Sequence, residues 1–309
     1  DANAHKLAGQ VVPLAAHEGP EANLARIAAA AHHLVAEAGP AAAEGRLLGA
    51  GVGASGLVDA ETGVNLLAPN LGWRHVPLRQ LMSDLLGLPV AVDNNVRCMA
   101  LAESLFGAGR HARVLAYVYA RVGVGAGLVV DGQVYRGAGF GAGEIGHWTI
   151  VPKGGARCRC GNHGCLETLI GEPVIVERAR SLDPFVVEQS QEPLKAIFDA
   201  ARRGHTALRS MLADQAFYLG IALANLVNVL NPHMIMLGGL LHEGFDLLQP
   251  HVEATLRRHA FGGLGAGVTL CASTFGEAAG EMGAAALALD SFFFSQTQGA
   301  SKAEPERGA

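Results

Sequence analysis

Between Glu144 and Thr168 the chain reads EIGHWTIVPKGGARCRCGNHGCLET, in which His147 is followed across a short loop by three cysteines, Cys158, Cys160 and Cys165. Four such nitrogen and sulfur donors meet the tetrahedral demand of Zn²⁺, with bonds of about 2.3 Å to thiolate and about 2.0 Å to imidazole. Gly161 and Gly164 let the chain turn tightly between the thiols. Three of the five cysteines fall within eight residues, a concentration that accidental free thiols do not explain. A closed Cys₃His set leaves no open coordination position, so the spacing predicts a structural zinc rather than a catalytic one.

Composition fits a globular chain. With 309 residues, 50% hydrophobic and 17% charged, it can bury one large or two medium cores. Five cysteines is an odd number, and Cys98 and Cys271 lie in apolar surroundings as small buried thiols, which excludes a secreted disulfide scaffold. No run approaches the roughly 18 apolar residues of a membrane span, and no signal-peptide pattern opens the chain. The cytoplasm is the default expectation. A net charge of −5 without an extended Lys/Arg cluster excludes the electrostatic footprint that nucleic acid requires.

Periodicity predicts an amphipathic helix over residues 21–38, a Gly/Pro loop and a strand over 47–52, after which strand and helix alternate. A short buried strand over 88–92 feeds a helix over 95–106, the kind of junction at which α/β folds place ligands. Residues 115–122, 127–130 and 133–135 read as strands, with Asp131-Gly132 as a hairpin turn. Two or three helices are expected over 173–228, then a strand over 234–237 and an Ala-rich helix over 280–289. Residues 295–309 are polar and aperiodic, the pattern of a disordered tail. No internal repeat is visible.

Glu144-Ile-Gly-His147 followed by C-x-C-G-x-x-G-C-L-E over Cys158 to Glu167 resembles the signature of the ROK family, which contains bacterial sugar kinases and sugar-responsive transcriptional repressors. Other family motifs follow in family order at residues 51–59, 70–73, 92–95, 123–127, 225–232 and 237–239. Each is weak alone; the ordered set is specific. The resemblance implies an α/β, actin-like (hexokinase/ROK) two-domain fold with an interdomain cleft. Residues 1–112, joined again by 276–293, form the small domain, and 113–275 form the large domain carrying the zinc knuckle, with 294–309 as tail. Asp1 to Val12 resembles the second half of an opening β-hairpin. The family's kinases begin with an Asp-x-Gly-x-Thr phosphate loop, and its repressors carry an upstream winged helix-turn-helix. The chain contains neither, so it is expected to be a piece of a longer protein.

Carried over by the resemblance, the sugar contacts fall on Asn94, Glu144, His147 and Glu167, with Asn70 and Gly56 on the cleft wall and Asn95 as a further hydrogen-bonding contact. Carboxylates suit the task because each accepts two hydroxyl hydrogen bonds with charge assistance. Two positions depart from the family's kinases. Counting back from Glu103 puts Asn94 and Asn95 where a kinase has Asn-Asp, and an amide cannot act as the general base. Asp93 stands two residues earlier, on the strand side of the junction. The kinase phosphate loop Gly-Thr-Gly-x-Gly reads Arg121-Val122-Gly123-Val124-Gly125, so the hydroxyl is lost, and the glycines that remain serve either as amide donors to an anion or as a plain turn. The adenosine-side motif, Leu237-Gly-Gly-Leu240, lacks its third glycine.

The resulting expectation is the sugar-sensing, effector-binding and dimerisation region of a ROK transcriptional regulator. It has no catalytic residues, assembles as a homodimer or tetramer, and reaches DNA only through a winged helix outside these residues. Its ligand is a neutral monosaccharide or derivative. The alternative is an ATP-dependent ROK sugar kinase of glucokinase or N-acetylhexosamine kinase type. A third class is a scaffold protein that uses the fold for interaction alone.

Overall fold

The computed structural model describes residues 6–37 and 47–294. In chain order these form α1 (Gly19–Glu37), β1 (Ala50–Ala54), β2 (Leu57–Asp59), β3 (Val64–Ala68), β4 (Trp73–Val76), α2 (Leu78–Leu86), β5 (Val90–Asn94), α3 (Asn95–Leu105), β6 (Val114–Ala120), β7 (Val124–Val130) and β8 (Gln133–Tyr135). Beyond the cysteine loop come α4 (Glu167–Ile170), α5 (Glu172–Leu182), α6 (Pro184–Glu188), α7 (Pro193–Arg202), α8 (Thr206–Leu230), β9 (Met234–Gly239), α9 (Leu240–Glu243), α10 (Phe245–His259), β10 (Thr269–Ala272) and α11 (Ala279–Leu289).

The strands make three sheets. β1 pairs with β5 in parallel, β2, β3 and β4 form an antiparallel ribbon, and a five-stranded mixed sheet runs in the order β10-β9-β6-β7-β8. Strand alternation sorts β6 between two cores. Ala116, Val118 and Ala120 face the largest core, shared with α5, α7, α8 and α10, while Leu115 and Tyr117 face α3 on the other side. α3 is therefore buried all round: Val96, Met99 and Ala100 lie against the sheet, and Cys98, Leu101 and Ala102 against α11. α11 lies so close on β1 that a Cβ on Gly51 would stand 1.9 Å from the Ala284 carbonyl oxygen. Together α3 and α11 join the five-stranded sheet to the β1/β5 pair.

α3 begins where it does because Asn94 caps it. The Asn94 side chain accepts from the backbone N–H groups of Val96 and Arg97, and its own backbone is extended. Fixing this cap fixes Asn95 as the first helical residue, directly off the end of β5.

Several expectations are corrected. The strand expected over 47–52 begins at Ala50 and continues to Ala54, because its ladder partner β5 spans Val90–Asn94. Residues 6–12, expected as half of a hairpin, form no strand; they lie mostly exposed, and no neighbouring strand among the described residues takes up their backbone groups. Four helices rather than two or three follow 173, broken by prolines at the starts of α6 and α7. The ribbon β2–β4 and helix α10 had no sequence reading. β7 starts at Val124, so Gly125 and Gly127 are ladder residues opposite Tyr119 and Tyr117, and the turn shrinks to 121–123. α8, at 25 residues, is in fact long and apolar enough to cross a membrane. Leu208, Leu212, Leu219, Leu223 and Val227 bury it in the main core instead. The expected tail over 295–309 and the end of the first helix, Ala38, lie outside the described residues.

Candidate metal knuckle and ligand site

The cysteine loop closes on itself through backbone bonds. Cys158 donates to the Asn162 carbonyl at 2.7 Å, Gly161 to Cys158 at 3.0 Å, and Gly164 to Ala156 at 2.8 Å. Gly164 is required here: its φ is +67°, and a Cβ would lie 1.8 Å from the Val151 carbonyl oxygen. The folding brings His147, Cys158, Cys160 and Cys165 together, with all four donor atoms within 4.8 Å of one another. Cys160 Sγ is 3.7 Å from Cys165 Sγ, and Cys158 Sγ is 3.7 Å from His147 Nδ1. A tetrahedron with 2.3 Å metal–sulfur bonds has an edge of about 3.8 Å, far from the 2.05 Å of a disulfide. The donor set and its spacing thus fit a closed four-coordinate metal. Burial pushes the thiols of Cys158 and Cys165 up, the latter to about 12, whereas the Asn162 backbone N–H pulls Cys160 down. A metal held here has to displace protons from buried thiols. With Nδ1 facing sulfur, Nε2 of His147 is left for a second partner.

Glu144 and Glu167 flank the knuckle. Glu144 precedes the 3₁₀ turn Ile145–His147 and its carboxyl has no hydrogen-bond partner among the described residues. The side chain opens to solvent, yet protein atoms surround it closely enough that desolvation raises its pKa, offset in part by His147 and Arg97 and reinforced by Glu167. Glu167 is held at both oxygens: Oε2 accepts from the Val124 backbone N–H at 3.1 Å and Oε1 from Arg159 Nη2 at 2.9 Å. The Arg159 guanidinium also donates to the Val122 carbonyl at 3.1 Å and to Asn70 Oδ1.

At the start of α3, Asn94 Nδ2 donates to the Gly56 carbonyl at 2.9 Å, so an expected sugar contact and an expected wall residue meet directly. Asn94 is largely consumed as cap and tie, with one N–H left. Asn95 has no side-chain hydrogen bond among the described residues and is half-buried. Asp93 is fully engaged. Its Oδ1 accepts from Arg97 Nε at 2.7 Å, its Oδ2 from Arg136 at 2.8 Å, and its side chain is 1% exposed. Arg97 spends its other N–H groups on the carbonyls of Phe140, at 2.7 Å, and Val58, at 3.0 Å.

On the far side of the β6–β7 turn, two of the amides in the expected anion loop, those of Val124 and Gly125, are engaged. Val124 N–H binds Glu167, and Gly125 and Gly127 are in the ladder. Arg121 bridges Glu172 and Glu243, the latter on α9 just past Gly238-Gly239. Beside that bridge is a cavity of about 270 Å³ whose lining includes Tyr119, Gly239, His242, Glu243 and Glu277. Sequence reasoning assigned no partner to Arg97, Arg121, Arg136 or Arg159. Arg121 and Arg159 were legible as cations inside quoted motifs; what they bind was not.

The ROK family model matches residues 3–291. The chain belongs to the ROK family. Among its relatives is the glucokinase of Halalkalibacterium halodurans, 35% identical over 249 residues, covering 77% of this chain and 74% of that one. The xylose repressor of Caldicellulosiruptor bescii is 35% identical over 200 residues, covering 62% of this chain and 50% of the repressor. Among solved structures, a ROK family transcriptional regulator homologous to Escherichia coli Mlc superposes with a TM-score of 0.77 at 29% identity, covering 88% of this chain and 69% of that one. The chain thus has the mixed α/β fold of ROK sugar kinases and repressors and spans only about half the length of the xylose repressor.

Proposed function

We propose that this chain is the sugar-sensing, effector-binding region of a cytoplasmic ROK transcriptional regulator, catalytically silent and built around a structural zinc on His147, Cys158, Cys160 and Cys165. The observation that carries the reading is Asn95 at the head of α3, with Asp93, the carboxylate two residues before it, bonded to two guanidinium groups. A sugar kinase needs a titratable carboxylate at the attacking hydroxyl. Asn95 cannot take the proton, and Asp93 is buried and committed to Arg97 and Arg136. The occupied Val124 amide, the Arg121 bridge and the carboxylates lining the adjacent cavity all oppose a triphosphate there.

The ligand side supports a neutral monosaccharide bound through Glu144, Glu167, His147 Nε2 and Asn70, with Asn94, Asn95 and Gly56 as the floor. Zinc supplies no chemistry in this scheme; it fixes the loop that presents the two carboxylates. Self-association falls to this region and DNA contact to a winged helix outside these residues, and the ligand acts by favouring one arrangement of the parts over another. The second reading, an ATP-dependent sugar kinase, is favoured by the 35% identity to a glucokinase. One experiment separates them: the zinc-loaded chain, titrated with D-glucose, D-xylose and N-acetylhexosamines by calorimetry and assayed for ATP-dependent phosphorylation of the same sugars. Binding without turnover is the expected result. Sugar-dependent ATP consumption overturns the regulator reading.

A further inference from the structure

Arg159 stands between two knuckle cysteines but sends its side chain out of the knuckle. Nη2 reaches Glu167 Oε1 at 2.9 Å and the Val122 carbonyl at 3.1 Å, while Nη1 reaches Asn70 Oδ1. Asn70 lies on the turn between β3 and β4, in the ribbon packed with β1 and β5. Glu167 and Val122 belong to the side built on the five-stranded sheet. One planar guanidinium therefore ties a side chain on one wall to a side chain on the other. A five-donor fork can do this; a lysine ammonium, a single point charge, cannot hold both in one plane.

The tie is a poor stability element. Arg159's side chain is 51% exposed, a setting in which ion pairs contribute little, and ordering a long side chain costs rotamer entropy. Its effect is on placement. With Oδ1 of Asn70 engaged by Arg159, the free function of that amide is its Nδ2 donors. With Glu167 pinned by Val124 N–H and Arg159, its remaining lone pairs are acceptors on a fixed carboxylate. Donors on one wall face acceptors on the other, which complements hydroxyl groups, each of which both gives and accepts.

We propose that Arg159 is a positioning residue of the ligand site. Its guanidinium orients Asn70 and Glu167 across the cleft for a neutral polyol, and the metal knuckle sets the direction of Arg159 itself. This rests on the assignment of Asn70 and Glu167 as ligand contacts made under Proposed function.

The test has two readouts on the zinc-loaded chain: calorimetric affinity for D-glucose and D-xylose, and amide hydrogen exchange over residues 70–72 without sugar. Arg159→Gln is expected to keep its zinc, weaken the better-bound sugar roughly tenfold, and speed exchange in the Asn70 turn; Arg159→Lys should restore the affinity only in part. Asn70→Ala removes the same tie without touching the knuckle, and the double variant should be little worse than Arg159→Gln alone, the non-additivity of coupled residues. Unchanged affinity and exchange in Arg159→Gln, or fully additive losses in the double variant, overturn the positioning role while leaving the ligand reading intact. A wild-type chain that binds neither sugar overturns both.

Discussion

Asp93 Oδ1 accepts the Arg97 Nε–H at 2.7 Å with both side chains at most 2% exposed, and the same guanidinium bonds the carbonyls of Val58 and Phe140. One buried cation thus fastens the start of α3, the β2–β4 ribbon and the loop that leads to Glu144. Breaking a buried pair from one side leaves an uncompensated charge, at a cost of about 3–5 kcal/mol. Arg97→Met and Asp93→Asn should each lower the unfolding free energy from urea titration by an amount in that range, seen as a lower midpoint. A midpoint within error of wild type would show that the network contributes nothing to holding these three segments.

The loop from Phe140 to Glu144 has a second constraint at Gly143. Its φ is +92°, its carbonyl accepts from Ala126 N–H at 2.7 Å, and a Cβ there would lie 1.8 Å from the Ala126 carbonyl oxygen. Backbone must move to admit any side chain, and a left-handed conformation adds roughly 1 kcal/mol or more of strain for alanine. Gly143→Ala is expected to fold with reduced stability and to lose most sugar affinity, because Glu144 is the next residue. Wild-type affinity in this variant would argue that Glu144 takes no part in binding.

The two clearest sequence signals concerned local spacing. The Cys₃His cluster and the start of α3 at Asn95 could be read because loop closure and helix starts depend on residues close to one another in the chain. The arginine partners could not be read, since Arg97 to Phe140, Arg121 to Glu243 and Arg159 to Asn70 span 43, 122 and 89 positions. The ribbon escaped because its strands are only three to five residues long and take their order from Gly56 and Gly63 turns, not from a long alternation. The glycine run from Gly123 reads as an anion loop or a plain turn because sequence alone does not show that β6 continues the ladder opposite Val124 and Gly125.

Metal content tests the knuckle. Zinc should be found at about one ion per chain, and Cys160→Ser should lose it, because the remaining three donors leave an open, weaker site. Chelation of the wild type should lower the melting temperature and abolish sugar binding together, since the same loop carries Glu144 and Glu167 at its two ends. A zinc-free chain that binds sugar normally would break the proposed coupling.

Asn95→Asp restores the missing carboxylate and nothing else. Val124 N–H stays with Glu167, Arg121 still bridges Glu172 and Glu243, and Val122 still lacks a hydroxyl. The variant should therefore show no sugar-dependent ATP hydrolysis above background, by a coupled assay, across hexoses and N-acetylated hexosamines. Turnover at an ordinary kinase rate would mean that Asn95 alone silences the chain and that the nucleotide side is competent.

Glu144→Gln separates function from structure at the ligand site. The carboxyl bonds no protein group among the described residues, and desolvation raises its pKa, so the fold gains nothing from its charge. Replacing it with a neutral amide of the same shape removes a poorly hydrated anion that Glu167 also opposes, and stability should hold or rise slightly. Affinity should move the other way. A hydroxyl bonded to a charged acceptor contributes roughly 1.5–3 kcal/mol, and the amide turns half of that acceptor into a donor. The expected loss is about tenfold or more in the calorimetric dissociation constant, with an unchanged or raised melting temperature. Stability that falls along with affinity would make Glu144 a structural residue, and unchanged affinity would remove it from the site; only the opposed pair of changes identifies a group kept under strain for its ligand.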